Sequence, residues 1–525
     1  MIVQVNKLTL VQVYKLIKMA TIQEKLAESL SVLKDYQDEH GDNPVIKGAA
    51  TLGEIHTKRL VDFGYLKMVI KGWYIPSFPG NEGDSTVWHV SYWPFVVAYL
   101  NDKFNDNWCL SPEMSLYIYS GKSVVPQQLI VRSESGNNNL LNLPFGTSLI
   151  DIKARIPQNR AHFKPYGIIL YELEEALLMV SPDYYRKSAL EAQVCLASVK
   201  DTSKLLKIAI ENENTSRVGR VAGAFRAIGK TDFADNIITT MKNVGYEVRE
   251  ENPFETPISI SLPDISPYAS RIRLMWAKMR QTILELSKNC DFAKTKRTAA
   301  EIFAMMEERY IKDSYNSLSI EGYRVTEQLL ERVRSGRWDP KKNKADEDSK
   351  NALVARGYYQ AFQALKSSIQ SIFDGKSAGK VYASDHNAWH LQLFEPCVKA
   401  GLIKVSDLVG YRSHQVYIKN SMHTPLPPYA ILDAMTALND LMEYEQNAVV
   451  RAILGHFIFV YIHPYMDGNG RTARFVMNSQ LVTAGFDWVV IPVEKRDEYM
   501  KALEKASVNE DITDFCRFIL TFLNF

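Results

Sequence analysis

The sequence is poor in cysteine, balanced in charge and without a long apolar run, and each absence excludes a class of protein. Its 525 residues include only five cysteines, an odd number spread far apart. This excludes a disulfide framework and a CxxC zinc ribbon, and it is typical of a reducing compartment. We expect the cysteines to pack in cores rather than act as nucleophiles. They are Cys109, Cys195, Cys290, Cys397 and Cys516.

Charge and hydropathy narrow the classes of partner. Lys+Arg of 62 against Asp+Glu of 60 leaves a net charge of +2, so no overall field draws the protein to nucleic acid or to a membrane. The longest apolar run, 453–462, is interrupted by His456 and is shorter than the roughly 20 residues that span a bilayer. The N-terminal residues lack the apolar segment and cleavage site of a signal peptide. We therefore expect a cytoplasmic protein with no membrane partner.

What is present is the composition of an ordinary multidomain protein. A content of 46% hydrophobic and 23% charged residues supports real cores, and the length predicts about three or four domains. Four prolines within 253–267 indicate a linker, after which almost every segment has helical periodicity. The predicted parts are an N-terminal extension (1–20), a winged helix (21–85), an α+β middle domain (86–250), a linker (251–267) and an all-α domain (268–525).

The predicted winged helix consists of helical patterns followed by two short strands, and its surface is modestly basic. Between residues 46 and 72, five lysines and arginines stand against two acidic residues. In a DNA complex the helix near 54–63 would enter the major groove, with Lys58 and Arg59 on phosphates and Lys71 on the wing. The alternative is a module that binds protein.

Two short patterns in this half resemble a known family. The pattern Leu60-x3-Gly64-x-Leu66-x5-Gly72-x-Tyr74 resembles the N-terminal winged helix of abortive-infection-type antitoxin regulators. Residues 110–131 resemble the domain that follows it in those proteins. The resemblance implies a DNA-binding role for this half of the chain.

The sharpest motif is HPYMDGNGRTAR at residues 463–474. Pro464 ends an apolar helix, and a second apolar helix resumes at Phe475. Between them, Gly468-Asn469-Gly470 can adopt positive φ and present backbone N–H groups at a helix N-terminus, where an anion is stabilised.

The charged residues of this motif indicate phosphate chemistry. Arg471 and Arg474 lie three apart in the first helical turn, where cations are unfavourable unless an anion is bound. Two guanidinium groups suit a polyphosphate, and Asp467 offers a hard oxygen ligand for Mg²⁺. His463 titrates near neutrality and can take a proton from an attacking hydroxyl.

The motif is similar to the signature HPFx(D/E)GNGRxxR of Fic domains, with Tyr465 in place of phenylalanine, and the resemblance covers residues 266–525. It implies an all-α Fic domain with a β-hairpin flap, which transfers AMP from ATP to a Ser, Thr or Tyr hydroxyl of a protein. By position, the resemblance implies His463 as base, Asp467 as Mg²⁺ ligand, Gly468, Asn469 and Gly470 as anion hole, Arg471 on phosphate, Arg474 on the γ-phosphate and Tyr499 in the adenine pocket.

A second match to the family lies near 312–322. Ser317 to Gly322 fits the inhibitory pattern (S/T)xxxE(G/N), with Ser317 and Glu321 on one helical face and Gly322 at the helix end. A Glu321 carboxylate bonded to Arg474 would remove a partner of the γ-phosphate and place negative charge beside it. The sequence therefore predicts autoinhibition.

A third segment, 411–421, alternates apolar and polar residues in a helical region. In Fic domains this position is a flap hairpin whose edge holds the target's extended segment, and an unpaired edge binds peptide by strand addition. A plain structural hairpin is the alternative. The predicted docking residues are Gln415, Val416, Tyr417, Ile418, Lys419, Asn420 and Ser421.

Two alternatives to an autoinhibited adenylyltransferase stay open. In one, the protein is a DNA-binding regulator whose Fic half only senses nucleotide. In the other, the donor is UTP, CDP-choline or another diphosphate, because the motif holds phosphates rather than the base. The expected partner is a protein bearing a hydroxyl side chain, and the sequence leaves DNA binding and a homodimer open. His456 is predicted to be a hydrogen-bonded core histidine.

Overall fold

The computed structural model describes the chain in segments. These are 21–41, 44–80, 83–164, 166–211, 215–255, 266–288, 290, 292, 294–337 and 350–523. The predicted N-terminal extension and linker residues 256–265 lie outside them.

Helices predominate, and they are numbered here in chain order. They are α1 (Ile22–His40), α2 (Glu54–Asp62), α3 (Thr86–Phe104), α4 (Pro112–Tyr119), α5 (Leu173–Met179), α6 (Pro182–Lys187), α7 (Ala189–Ser198), α8 (Ser203–Glu211), α9 (Thr215–Ala227), α10 (Thr231–Asn243), α11 (Pro267–Ser287), α12 (Ala299–Ile320), α13 (Glu327–Arg334), α14 (Lys350–Phe373), α15 (Ala378–Lys399), α16 (Pro428–Tyr444), α17 (Ala448–Ile462), α18 (Asn469–Val482), α19 (Arg496–Asn509) and α20 (Thr513–Leu520).

The strands are short and lie in the first third of the chain. They are β1 (Ile46–Lys47), β2 (Leu66–Ile70), β3 (Trp73–Pro76), β4 (Cys109–Leu110), β5 (Gln128–Ser133), β6 (Asn139–Asn142), β7 (Ser148–Lys153), β8 (Arg160–Phe163) and β9 (Ile168–Tyr171).

One compact unit contains the described residues up to Ser111 together with 125–171 and 419–421. Its first part has the predicted order of helices followed by a hairpin, and β1, β3 and β2 form an antiparallel sheet in that order. Gly72 turns the hairpin with φ 81°, a conformation that glycine adopts without steric cost. The identification of this part as a winged helix remains a prediction.

The remaining strands of this unit continue beyond the predicted boundary at residue 85. A second sheet has the order β4-β5-β7-β6, with β5 and β7 parallel, and β8 pairs with β9. Trp73 of the first sheet packs edge-on against Phe95 and Tyr99 of α3. Because these aromatic contacts cross residue 85, the predicted winged helix shares one unit with part of the predicted middle domain.

The second compact unit contains 112–124, the described residues of 172–418, and 422–523. It takes in the helices that the sequence analysis placed in the middle domain, so the predicted 86–250 domain is divided between the two units. At its centre lies α17, in which 12 of 15 residues are buried, beside α18, in which 13 of 14 are buried. A helix that is apolar all round belongs in a core, and α17 is such a helix, whereas α18 is buried although many of its residues are polar.

Close helix packing in this unit depends on glycine at one crossing. A Cβ on Gly357 of α14 would lie under 3.0 Å from the carbonyl oxygen of Leu393 on α15. The absence of a side chain lets the two helices approach directly behind the loop that follows α17 in the sequence.

The predicted flap hairpin does not form strands. Residues 411–421 consist of turns and irregular backbone. Asn420 turns the chain at φ 58°, which a strand does not adopt, and the Gln415 side-chain amide donates to the carbonyl of Pro425 at 2.7 Å. In the first unit, the Asn420 N–H donates to Thr86 Oγ1 at 3.0 Å.

Two further expectations concern membranes and cysteines. Within the described segments, no helix has the length and apolarity needed to cross a membrane. Four cysteines are buried as expected, and Cys290 is half-buried.

Candidate active site

The site is built on the loop between α17 and α18. His463 ends α17 in the left-handed conformation, φ 56° and ψ 60°, with its N–H bonded to the Phe459 carbonyl at 3.0 Å. That conformation costs a residue with a Cβ roughly 1–2 kcal/mol, so the surrounding structure must hold it. Pro464 follows and prevents the helix from continuing.

The His463 ring is poised to accept a proton. Its Nδ1 lies 3.2 Å from the Val460 carbonyl, and because a carbonyl only accepts, Nδ1 carries the hydrogen and Nε2 keeps its lone pair. Burial lowers the pKa of His463 to about 4, outweighing the opposing effect of the Val460 carbonyl. The expectation that His463 titrates near neutrality is therefore wrong: the imidazole is neutral at pH 7 with a free lone pair on Nε2.

The turn between the helices is closed by the Asn469 side chain. Its Oδ1 accepts from the Tyr465 N–H at 3.0 Å, and its Nδ2 donates to the Tyr465 carbonyl at 2.9 Å. The predicted contribution of Asn469 to an anion hole is thus limited to its backbone N–H, because the buried side chain faces the loop itself.

The N-terminus of α18 presents an anion cradle. Gly468 caps the helix in the left-handed conformation, φ 82°, without a side-chain hydrogen bond to the first turn. The first N–H groups of a helix have no partner within it, and the helix dipole adds positive potential there. Gly468 also needs its hydrogen, since a Cβ there would lie under 3.0 Å from the Phe394 ring.

Asp467 is open to solvent beside this cradle. Its side chain is 61% exposed, and it accepts from Arg471 at 3.3 Å and from the Tyr323 hydroxyl at 3.4 Å. In the described part of the chain, no group of three His, Cys, Asp or Glu side chains could hold a metal by itself. Asp467 offers one exposed carboxylate, and a single carboxylate can bind a Mg²⁺ ion that also has phosphate and water ligands.

Arg471 is buried with unsatisfied donors. Its side chain is fully buried between the rings of Tyr323 and Phe394, whose centroids lie 5.2 and 5.0 Å from the guanidinium carbon. Its Nε and one terminal nitrogen have no hydrogen-bond partner among the residues that the structure describes. Leaving such donors unpaired is costly, so the geometry favours an anionic ligand.

Arg474 is held by the end of α12. Its guanidinium donates to Ser317 Oγ at 2.9 Å, to the Ser317 carbonyl at 3.0 Å and to Glu321 Oε1 at 2.8 Å. Gly322 follows at φ 86° and turns the chain away, as predicted for a helix end. The structure thus brings together the two motifs that the sequence analysis paired.

The Glu321 carboxylate lies in the anion cradle. A Cβ added to Gly470, the second residue of α18, would lie under 3.0 Å from Glu321 Oε1. The carboxylate oxygen therefore packs directly against the backbone of the first helical turn, where the dipole stabilises negative charge.

This contact predicts an effect of Gly470→Ala whose sign depends on residue 321. In the native chain, we expect the new methyl to push the flexible Glu321 carboxylate away from Arg474 and to lower stability by about 1 kcal/mol through the lost hydrogen bond. In a Glu321→Gly chain the clash is gone, and alanine should instead raise stability by about 0.5–1 kcal/mol through its helix preference. Melting temperatures of the four proteins measure the difference. Equal shifts in both backgrounds would show that the carboxylate does not occupy the cradle.

The sequence analysis missed a polar cluster beneath the loop. The Tyr465 hydroxyl donates to Asn387 and accepts from His386 Nδ1 at 2.9 Å, and its ring stacks on His390 with centroids 3.6 Å apart. His390 Nε2 in turn donates to the Asp467 carbonyl at 3.0 Å. The one signal was the tyrosine itself, since a buried hydroxyl requires a partner.

Tyr323 and Arg412 also touch the site and were not singled out. Tyr323 contacts both Arg471 and Asp467, and Arg412 bonds to the backbone around His463. Neither has a local pattern that marks it, because each reaches the loop from a different part of the chain.

Tyr499 and His456 lie together in the core. Tyr499 is buried, with its hydroxyl 2.8 Å from His456 Nε2, and burial raises the pKa of Tyr499 to about 12. The prediction of a hydrogen-bonded core histidine at 456 is confirmed. Tyr499 is 1% exposed, and its predicted place in an adenine pocket stays a prediction.

The three residues predicted to contact DNA differ in exposure and in hydrogen bonding. Lys58 and Lys71 are exposed. The Arg59 guanidinium instead donates to the Lys25 carbonyl and to Ser29 Oγ, both at 2.6 Å, on α1. Arg59 therefore stabilises the contact between α1 and α2.

The fold and site together define a class: a helical domain with a glycine-capped helix N-terminus and buried arginines beside a neutral histidine. Residues 383–481 match the model of the Fic/DOC family. The chain contains a Fic domain, as the signature indicated.

Curated relatives and a solved structure share this similarity. The chain is 40% identical over 113 residues to the Protein adenylyltransferase Fic of Nematostella vectensis, covering 21% of this chain and 26% of that protein. It is 30% identical over 253 residues to the Protein adenylyltransferase fic-1 of Caenorhabditis briggsae, covering 46% of this chain and 45% of the relative. A fragment of Fic-1 from C. elegans has 19% identity and a TM-score of 0.36, with coverage of 67% of this chain and 88% of the fragment. The matches span less than half the length of the two curated relatives.

Proposed function

We propose that the protein is an adenylyltransferase that moves AMP from ATP to a Ser, Thr or Tyr hydroxyl of a protein, itself included. The observation that carries the proposal is a neutral histidine with a free Nε2, located directly before an anion cradle whose Arg471 has unpaired buried donors. The names of the curated relatives, both adenylyltransferases, support the same reaction.

In this proposal the residues divide the reaction between them. The N–H groups of the first turn of α18 and Arg471 bind the phosphates of ATP, and Arg474 binds the γ-phosphate once released from α12. His463 Nε2 takes the proton of the target hydroxyl while its oxygen attacks the α-phosphorus. The bond between the α- and β-phosphates breaks, and pyrophosphate leaves.

Asp467 would hold the Mg²⁺ that accompanies ATP. Its exposure and its place beside the cradle fit an ion that is bound partly by phosphates. When bound, Mg²⁺ supplies neutralisation of charge on the phosphates.

We infer that this activity is restrained by α12. Glu321 occupies Arg474 and packs against Gly470, so ATP can bind productively only after the carboxylate leaves. A γ-phosphate at the same place would meet a negative charge and find its arginine partner taken.

The alternative functions depend on different residues of the chain. A regulator that senses nucleotide without turnover has no need of a base, so the neutral His463 favours the enzyme. DNA binding would depend on Lys58 and Lys71, since the Arg59 guanidinium is bonded to α1. UTP or CDP-choline would serve as donor equally well, because the phosphate sites do not contact the base. A homodimer also stays a proposal. So does the binding of a target's extended segment along residues 415–421.

The position of the transferred label tests the reaction. We expect the Glu321→Gly protein to become labelled from ATP carrying ³²P at the α-position and to remain unlabelled from γ-³²P ATP. Label from the γ-position would identify a kinase instead, and label only from UTP or CDP-choline would change the donor. No label from any of them, with nucleotide binding intact, would favour the sensor.

A further inference from the structure

Arg412 is a buried cation whose bonds all go to backbone carbonyls. It is 5% exposed, and burial lowers its pKa to about 10, so it stays charged at neutral pH. Among the described residues, none of the ion pairs involves Arg412. A buried guanidinium held only by carbonyl dipoles is unusual, because buried charges normally pair with an opposite charge.

Its bonds converge on the backbone of His463. Its Nε donates to the His463 carbonyl at 2.8 Å, and its own backbone N–H donates to the Pro464 carbonyl at 2.9 Å. Arg412 thus binds the carbonyls of two successive residues, His463 and Pro464. His463 is the residue in the left-handed conformation. Together with the Nδ1 bond to Val460, these contacts determine where Nε2 points.

The rest of the guanidinium binds one backbone carbonyl before and one after the predicted docking residues 415–421. One terminal nitrogen donates to the His414 carbonyl at 2.8 Å, and the other donates to the Leu426 carbonyl. The planar fork of arginine can donate in these separate directions at once, whereas a lysine ammonium cannot reproduce the arrangement.

We propose that Arg412 is a positioning residue that sets the orientation of His463 and couples it to the backbone on both sides of the flap segment. The inference rests on the proposed adenylyl transfer, since it assigns a residue that serves the base of that reaction. It acts through the histidine and touches neither nucleotide nor target.

The test uses Arg412→Lys in the Glu321→Gly full-length protein. We expect kcat for AMP transfer to fall by about 10- to 100-fold, because a small misplacement of a reacting group has that effect. The Kd for a non-hydrolysable ATP analogue should change by less than about two-fold, since Arg412 is not at the phosphate site.

Arg451→Lys is the matched control. Arg451 is also partly buried with a pKa lowered by burial, and it donates to Gln480 at 3.0 Å and to the Glu445 carbonyl, at the opposite end of α17. We expect the kcat of the Arg451→Lys variant to stay near that of the Glu321→Gly parent. Equal kcat values for the two lysine variants would overturn the assignment.

A crystal structure of the Arg412→Lys variant separates this inference from the proposed function. We expect His463 to leave its left-handed φ or to lose the Nδ1 bond to Val460. Unchanged His463 geometry would refute the positioning role, even if the parent protein transfers no AMP. Should the variant not fold, Arg412→Gln, which keeps one amide donor, is measured in its place with the same two outcomes.

Discussion

Replacing Glu321 by glycine should raise AMP incorporation by roughly 10- to 100-fold, the range of a typical coupling between two sites. The substitution removes the carboxylate that is bonded to Arg474 at 2.8 Å and packed against Gly470. Arg474 and the first turn of α18 then become available to phosphate together. Transfer of radiolabel from α-³²P ATP to the protein itself and to lysate proteins measures the effect.

Two further variants separate charge from shape. Glu321→Gln keeps the volume of the side chain and its acceptor oxygen but loses the negative charge, so we expect an intermediate rise. Glu308→Gln makes the same chemical change at an exposed position of α12 and should leave incorporation at the native level. If Glu321→Gly labels no faster than the native protein, the carboxylate does not restrain the site.

Replacing His463 by alanine in the Glu321→Gly protein should lower transfer by about 10²- to 10⁴-fold, the usual contribution of a general base. The imidazole is neutral at pH 7 with Nε2 unprotonated, and alanine offers no group to take the proton. Nucleotide binding should persist, because the cradle and both arginines are intact. Initial rates at saturating ATP and an independent binding measurement distinguish the two effects.

The pH dependence gives the same test a second readout. Because burial lowers the pKa of His463 to about 4, well below its ordinary value, protonation should abolish transfer only as the pH falls through about 4. We therefore expect no loss of rate on the acidic side between neutral pH and about pH 5.5. His162→Ala, at an exposed position of the first unit, serves as control and should retain the parent's rate. A rate for His463→Ala equal to that of His162→Ala would exclude His463 as the base.

Much of the site could be predicted because its chemistry is local in sequence. Pro464, Gly468 and the arginines of 471–474 lie within 11 consecutive residues, and a helix end followed by a glycine turn places them together whatever surrounds them. The pairing of Glu321 with Arg474 was also predicted, although the two are 153 residues apart, because the family resemblance implied it.

Other expectations failed where side chains found unanticipated partners. The alternation of 411–421 predicted strands, but a strand needs a neighbouring edge, and here Gln415 and Asn420 bond elsewhere. The anion-hole prediction for Asn469 concerned its backbone N–H, and the side-chain amide, for which no partner was predicted, closes the loop on Tyr465. A polar side chain can reach several hydrogen-bond partners, and the residues around it in the sequence do not show which of them it binds.

The domain boundaries predicted from the sequence also differ from the compact units of the structure. The proline-rich segment near 253–267 was a reasonable boundary, yet the compact units separate after Tyr171, with 112–124 in the second unit. Contacts such as Trp73 on Phe95 decide membership of a unit, and composition along the chain does not report them.

The type of chemistry was encoded locally: backbone N–H groups at a helix start, two arginines, one carboxylate and one histidine within 12 residues specify an anion site with a base. The state of that site was decided by packing. Burial makes His463 neutral and leaves donors of Arg471 unpaired, Arg412 holds the His463 backbone, and Glu321 lies against Gly470. These features depend on which distant side chains the packed helices bring within a few ångströms, and a linear pattern specifies the buried face of a helix but not the partner it meets.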